Sequence, residues 1–177
     1  TGTLNVAVGH TALVSNTTAS NNTAVGHASL NANTTGADNA AFGFYSLLSN
    51  TTGNNNTAIG DQALRLNTTA SNNVAVGYQA GYSNTTANHN LFMGYTTGYT
   101  NSTGTANTFV GSTVGYSNTT GNGNAAFGSN YVGVALPTFY YNSTGSYNSA
   151  FGVGALASNT TAPANTARSE EHTSELQ

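Results

Sequence analysis

Apolar and polar positions in this chain follow a fixed schedule. The five-residue phrase Asn-x-Ala/Phe-apolar-Gly, as in Asn22-Thr23-Ala24-Val25-Gly26, ends at Gly9, Gly26, Gly43, Gly60, Gly77, Gly94, Gly111 and Gly128, every 17 residues. A ninth copy ends at Gly152, 24 residues further on, so that repeat carries a seven-residue insertion. A short fixed period is the mark of a solenoid, in which each repeat is one coil stacked on the last. Alternation inside the phrase predicts one short strand per coil, with successive side chains on opposite faces. The residue before the glycine is large and apolar in all nine copies (Val8, Val25, Phe42, Ile59, Val76, Met93, Val110, Phe127, Phe151). The one before that is Ala in seven copies and Phe in two, Phe92 and Phe109. This reads as a strand whose large residue turns into its own coil and whose small residues turn toward a neighbour. The expected fold is all-β, a parallel β-solenoid of nine coils over residues 1–167.

Other columns refine the coil. Four residues after the glycine stand Leu13, Leu30, Leu47 and Leu64, then Gly81, Gly98 and Gly115, then, counting forward, Val132 and finally Leu156. The glycine column itself admits a turn with positive φ or close approach of another backbone; flanking Ala favours the second. An Asn-Thr-Thr-Gly/Ala-like turn begins at each of Asn16, Asn33, Asn50, Asn67, Asn84, Asn101, Asn118, Asn142 and Asn159. These residue types make turns by accepting left-handed φ or bonding their own backbone. Stacking predicts ladders of them about 4.8 Å apart. All nine also match the Asn-x-Ser/Thr glycosylation acceptor, although turn chemistry alone accounts for them.

Composition changes the picture in one respect: only seven of 177 residues are Asp, Glu, Lys or Arg, and there is no Cys or Trp. Uncharged polarity of this kind suggests disorder when it lacks a period, and here the period is strict. Two basic residues and a net charge of −3 exclude a phosphate-binding track, so no nucleic-acid partner is expected. No apolar run reaches the length of about 18 residues that would span a membrane. The chain opens in mid-repeat and its only Met is Met93, as expected of an internal fragment. Each coil offers little apolar surface against a backbone ordering cost of about 1–2 kcal/mol per residue, so self-association through the Ala/Gly faces is expected.

A tenth phrase begins at Asn165-Thr166-Ala167, but Arg168 and Ser169 stand where an apolar residue and Gly are due. The run Arg168 to Gln177 resembles the in-frame translation of a common sequencing adapter; a charged capping segment is the alternative. Residues 168–177 are therefore set apart as a non-native tail, with no function assigned to them.

Asn56 to Leu64, N-T-A-I-G-D-Q-A-L, resembles the head repeat of trimeric autotransporter adhesins, with similar coils in bacteriophage tail-fibre and related surface proteins. The resemblance covers residues 1–167 and implies three parallel chains about a threefold axis, an extracellular or virion-surface location, and a host-surface protein or glycan as partner. This chain departs from it in its 17-residue coil and its Asn-Thr-Thr turn.

Catalysis finds little footing. Asp38 and Asp61 lie in different columns, no Ser-His-Asp order or Cys nucleophile appears, and the glycine phrases lack the Lys and helix of a phosphate loop. The expectation is a protein that is not an enzyme and needs no metal or cofactor. His10 and His27 share the column after the glycine and would stack, yet Phe44, Asp61, Tyr78, Tyr95, Ser112, Ser129 and Val153 share it too, which reads as a surface. Tyr82, Tyr99 and Tyr116 form a tyrosine row that either covers the core where Gly replaces Leu or offers rings to sugars or proteins. The insertion, within Ser129–Tyr141, gathers Phe139, Tyr140 and Tyr141 beside Pro137; such a loop is a candidate binding site or a packed bulge. An Asn-x-Thr array, Asn16 and Thr18 with their counterparts, raises ice binding as an alternative, and a plain spacer is the third reading.

Overall fold

A computed structural model describes residues 2–129 and 136–169. The described chain is all-β. Ten three-residue strands form one parallel sheet in chain order: β1 (Val6–Val8), β2 (Thr23–Val25), β3 (Ala40–Phe42), β4 (Thr57–Ile59), β5 (Val74–Val76), β6 (Leu91–Met93), β7 (Thr108–Val110), β8 (Ala125–Phe127), β9 (Ser149–Phe151) and β10 (Thr166–Arg168). Pairing joins residues one repeat apart, Ala24 to Ala41 for example, and across the insertion Ala126 to Ala150. The chain is therefore a parallel β-solenoid of about nine turns, as its period predicts, and about 43 Å long at the usual strand spacing.

The strand faces are the reverse of the sequence expectation. The middle strand residues, Ala24, Ala41, Ala58, Ala75, Phe92, Phe109, Ala126 and Ala150, are fully buried. They join one core with Leu13, Leu30, Leu47 and Leu64. The large residues of the column before the glycine point out of the coil. The cause is the coil's narrow interior: with leucine reaching in from the turn side, the strand side has room only for a methyl group. Where the turn side gives up its leucine, the strand supplies the bulk. Gly81, Gly98 and Gly115 face Phe92 and Phe109, and a Cβ on Gly98 would sit 2.5 Å from the Phe92 ring. That turn position is also left-handed, with φ between 48 and 53° at Leu13, Leu30, Leu47 and Leu64. A left-handed residue with a side chain costs roughly 1–2 kcal/mol, which glycine avoids. In the insertion coil Phe139 holds this place, at φ 54°, with its ring 5.8 Å from that of Phe109. Val132, assigned there by forward counting, lies outside the described residues.

The glycine column satisfies both readings at once. Gly9, Gly26, Gly43, Gly60, Gly77 and Gly94 have φ between +134 and +138°, and a Cβ on each would meet the next coil's carbonyl oxygen at 2.3–2.4 Å. Only glycine permits this stacking.

Asparagine replaces charge in the interior. Asn67 Nδ2 donates to Asn50 Oδ1 at 2.8 Å and to the Ala70 carbonyl at 3.0 Å, and this ladder runs from Asn16 to Asn159. A second ladder, not expected from the sequence, runs through the phrase's own asparagine: both the backbone N and Nδ2 of Asn39 donate to Asn22 Oδ1, at 2.9 and 3.1 Å. Between them these amides satisfy the turn carbonyls that a narrow coil cannot pair by backbone alone. At the last strand Arg168 pairs in register with Phe151 and is exposed. The outward column tolerates it there because nothing within the coil depends on that side chain.

Candidate functional surfaces

Because the core is filled from the other side, the outward strand positions make an apolar strip along the rod. Val8 is 57%, Ile59 42% and Phe151 44% exposed, and Phe42, Met93 and Phe127 are exposed with them. Val6 and Val74 add to the strip two residues upstream on the same face. Phe127 and Phe151 stack with ring centroids 5.3 Å apart. An apolar column of this kind, exposed at these six coils and half-buried at Val25, Val76 and Val110, marks an interaction surface. The expected Ala/Gly contact between chains has no counterpart here, since the Ala column is interior to each coil.

Beside this strip runs the column after the glycine. His10 and His27 stack at 5.2 Å, and His27 and Phe44 at 5.2 Å. After Asp61 the stack resumes with Tyr78 and Tyr95 at 5.4 Å. Stacked imidazoles hold their nitrogen lone pairs in near-parallel planes, which do not converge on one ion. No group of three or more His, Cys, Asp or Glu side chains suited to a metal occurs among the described residues. His89, in the turn, is exposed with Nε2 3.4 Å from Asn72 Nδ2.

The tyrosine row is longer than the sequence suggested. Tyr82, Tyr99, Tyr116 and Tyr140 stack at 5.0, 5.1 and 5.3 Å. Each interior ring is thus covered on both faces by its neighbours, so the row does not offer ring faces to a sugar. Its ends are closed as well: Arg65 donates to the Tyr82 hydroxyl at 2.7 Å with its guanidinium 5.6 Å from that ring, and Tyr141 meets Tyr140 edge-on at 4.8 Å. Burial, then the Tyr99, Tyr140 and Tyr95 hydroxyls, raises the Tyr116 pKa above its ordinary value.

These contacts split the insertion's candidate triad. Phe139 is buried in the core and Tyr140 belongs to the row, so neither is a loop ligand site; only Tyr141 is exposed. Counting back from Asn142 rather than forward from Gly128 would have placed both residues. The six insertion residues 130–135 lie outside the described residues. The Asn-x-Thr array also separates. Its asparagines are interior, fully so from Asn33 to Asn142, while Thr18, Thr35, Thr52 and their equivalents are exposed. What remains is a single line of threonines, not a two-column array, and the acceptor asparagines are shielded in the folded coil.

One coil departs from the chain's uncharged character. Asp61 and Arg65 are two of only three charged side chains in residues 2–167, and Gln62 lies between them. Gln62 Nε2 donates to Asp61 Oδ1 at 3.0 Å, and Arg65 donates to Gln62 Oε1 at 3.3 Å. The Arg65 guanidinium also stands 5.2 Å from the Tyr45 ring. A polar path thus crosses the coil surface from Asp61 to Tyr82. The sequence sets Asp61 in a different column from Asp38, within a mixed surface column; the signal for this path is the clustering of rare residue types in one repeat.

Comparison with known protein families, curated proteins and solved structures gave no match. No helix among the described residues is long and apolar enough to cross a membrane.

Proposed function

We propose that this chain is a non-enzymatic rod segment of an extracellular attachment fibre, an adhesin or tail fibre, which assembles as a parallel homotrimer. The exposed apolar strip from Val8 to Phe151 is the observation that carries it. Strands β1–β9 offer two outward positions each, 18 in all, close to the roughly 20–30 residues per side of a stable interface. Three is the number that the repeat's resemblance implies, and a strip running the length of the rod suits lengthwise association of identical rods. The uncharged interior and fixed stacking suit a rigid spacer that carries binding surfaces away from their anchor.

Sedimentation velocity tests the assembly. The expected result is a three-chain mass at micromolar concentration for the unaltered chain and a one-chain mass for Ile59→Asp, which puts a charge in the middle of the strip. A folded one-chain species for the unaltered protein would overturn the reading.

A further inference from the structure

The ring column beside the apolar strip has one missing rung, and its surroundings suit a ligand. His10, His27 and Phe44 form one stack and Tyr78 and Tyr95 another. Between them the rung is held by Asp61, as the backbone bonds from Gln62 N to Phe44 O and from Gln79 N to Asp61 O show. Phe44 and Tyr78 are therefore two coils apart, about 9.6 Å at the strand spacing. One further ring midway between them lies about 4.8 Å from each, one coil's rise, a little closer than the column's own ring spacing of 5.2–5.4 Å.

Among the described residues no aromatic ring covers the face of Phe44 toward this rung. Tyr45 is the aromatic ring nearest to Phe44, at 3.9 Å. Yet Tyr45 is also 5.4 Å from His27, which itself stands 5.2 Å from Phe44. Those three distances put Tyr45 alongside the His27–Phe44 pair, not beyond Phe44. Phe44, Asp61 and Tyr78 are all exposed.

The rung thus has two aromatic faces for walls and a carboxylate beside them. Gln62 occupies Asp61 Oδ1, and the other carboxylate oxygen has no hydrogen bond among the described residues. Aromatic faces carry negative charge and attract the weakly positive C–H faces of a sugar ring. A carboxylate accepts strong hydrogen bonds from hydroxyls. We infer that the rung between Phe44 and Tyr78 is a binding site for one neutral pyranose residue, stacked between the two rings with its hydroxyls on Asp61. The site gives the attachment reading above a ligand class and a place, and rests on it to that extent.

Saturation-transfer NMR on the assembled chain tests it, with the methyl glycosides of glucose, galactose, mannose and N-acetylglucosamine as probes. At least one probe is expected to show transfer to its ring C–H protons. Asp61→Tyr fills the rung with a residue the column already accepts at Tyr78 and Tyr95, and it should abolish that transfer. Asp61→Asn keeps the rung open and should weaken binding about tenfold, the worth of one hydrogen bond to a charged group. Tyr99→Ala, in the other aromatic row, should leave transfer unchanged. Absence of transfer from all four probes, or transfer that survives Asp61→Tyr, overturns the site. Sedimentation of the same samples reads assembly separately, so failure of the sugar site and failure of the trimer are distinguishable.

Discussion

At Ala58 and Phe92 the same strand position carries very different volumes, and the core accepts both because the turn residue opposite compensates. Phe92→Ala removes a fully buried ring from beside Gly81 and Gly98, a change that typically costs about 3–5 kcal/mol. Gly98→Leu alone should also destabilise, since its Cβ would lie 2.5 Å from the Phe92 ring. Together the two changes recreate the Ala–Leu pairing of earlier coils. Denaturant unfolding of the four proteins in this cycle should give a favourable coupling of about 1–3 kcal/mol. A double variant no more stable than Phe92→Ala would refute size complementarity between the columns. Tyr116 gives a pH prediction at the same scale. Burial, with the neighbouring Tyr99, Tyr140 and Tyr95, raises its folded pKa, so between the unfolded value near 10 and the folded one the native state holds the proton more tightly. Stability from this group is fully present below pH of about 10 and falls as pH rises through the folded value. Melting temperatures measured from pH 8 to 11 should therefore decline less steeply in Tyr116→Phe than in the unaltered chain.

The ladders are the element that lets the coil do without charge. Asn67 Nδ2 donates to Asn50 and Ala70, and its own Oδ1 accepts from Asn84. Asn67→Asp removes both donations while keeping the shape; Asn50 Oδ1 is left buried without a donor, whereas the Ala70 carbonyl keeps the one from Asn56 Nδ2. At roughly 1–3 kcal/mol for one unsatisfied buried group, the expected loss is about 1–3 kcal/mol, read as a lower denaturant midpoint. The same change at the half-buried Asn159 should cost less, because water reaches it; equal costs would show that the ladder adds nothing in the interior. Sequence reasoning could find the first ladder, since Asn-Thr-Thr recurs at fixed spacing and identical side chains must stack. Strand direction was not legible in the same way. Alternation separates Ala24 from Val25 but does not say which face is inside; that depends on Leu13 and Leu30 reaching across the coil, a tertiary fact. Phe139 was misplaced for a related reason: the insertion breaks the count on one side only, and the core resumes its register from the other.

For the whole rod, 17 residues are both the sequence period and the unit of length, which permits a test no single substitution provides. The period makes the solenoid legible in the sequence, whereas the Phe44–Asp61–Tyr78 rung emerges only once coils are stacked and rings can be measured against one another. Deleting residues 57–73 removes one complete period and joins Asn56 to Val74, so the phrase reads Asn56-Val74-Ala75-Val76-Gly77 and every column stays in register. In a solenoid, stability is close to a sum of coil and neighbour terms, so this variant should fold as a rod shorter by about 4.8 Å. Its denaturant m-value should drop by about one coil's share of buried surface. The deletion also takes out Asp61, Gln62 and Arg65 and brings Phe44 next to Tyr78, closing the open rung with the native stack itself. Sugar saturation transfer should vanish while small-angle scattering still shows a rod. Deleting residues 57–66 instead shifts every later column off its partner and should prevent folding. If the 17-residue deletion unfolds the chain, its coils are not interchangeable units; if the shortened rod still receives saturation transfer, the sugar lies elsewhere on the rod.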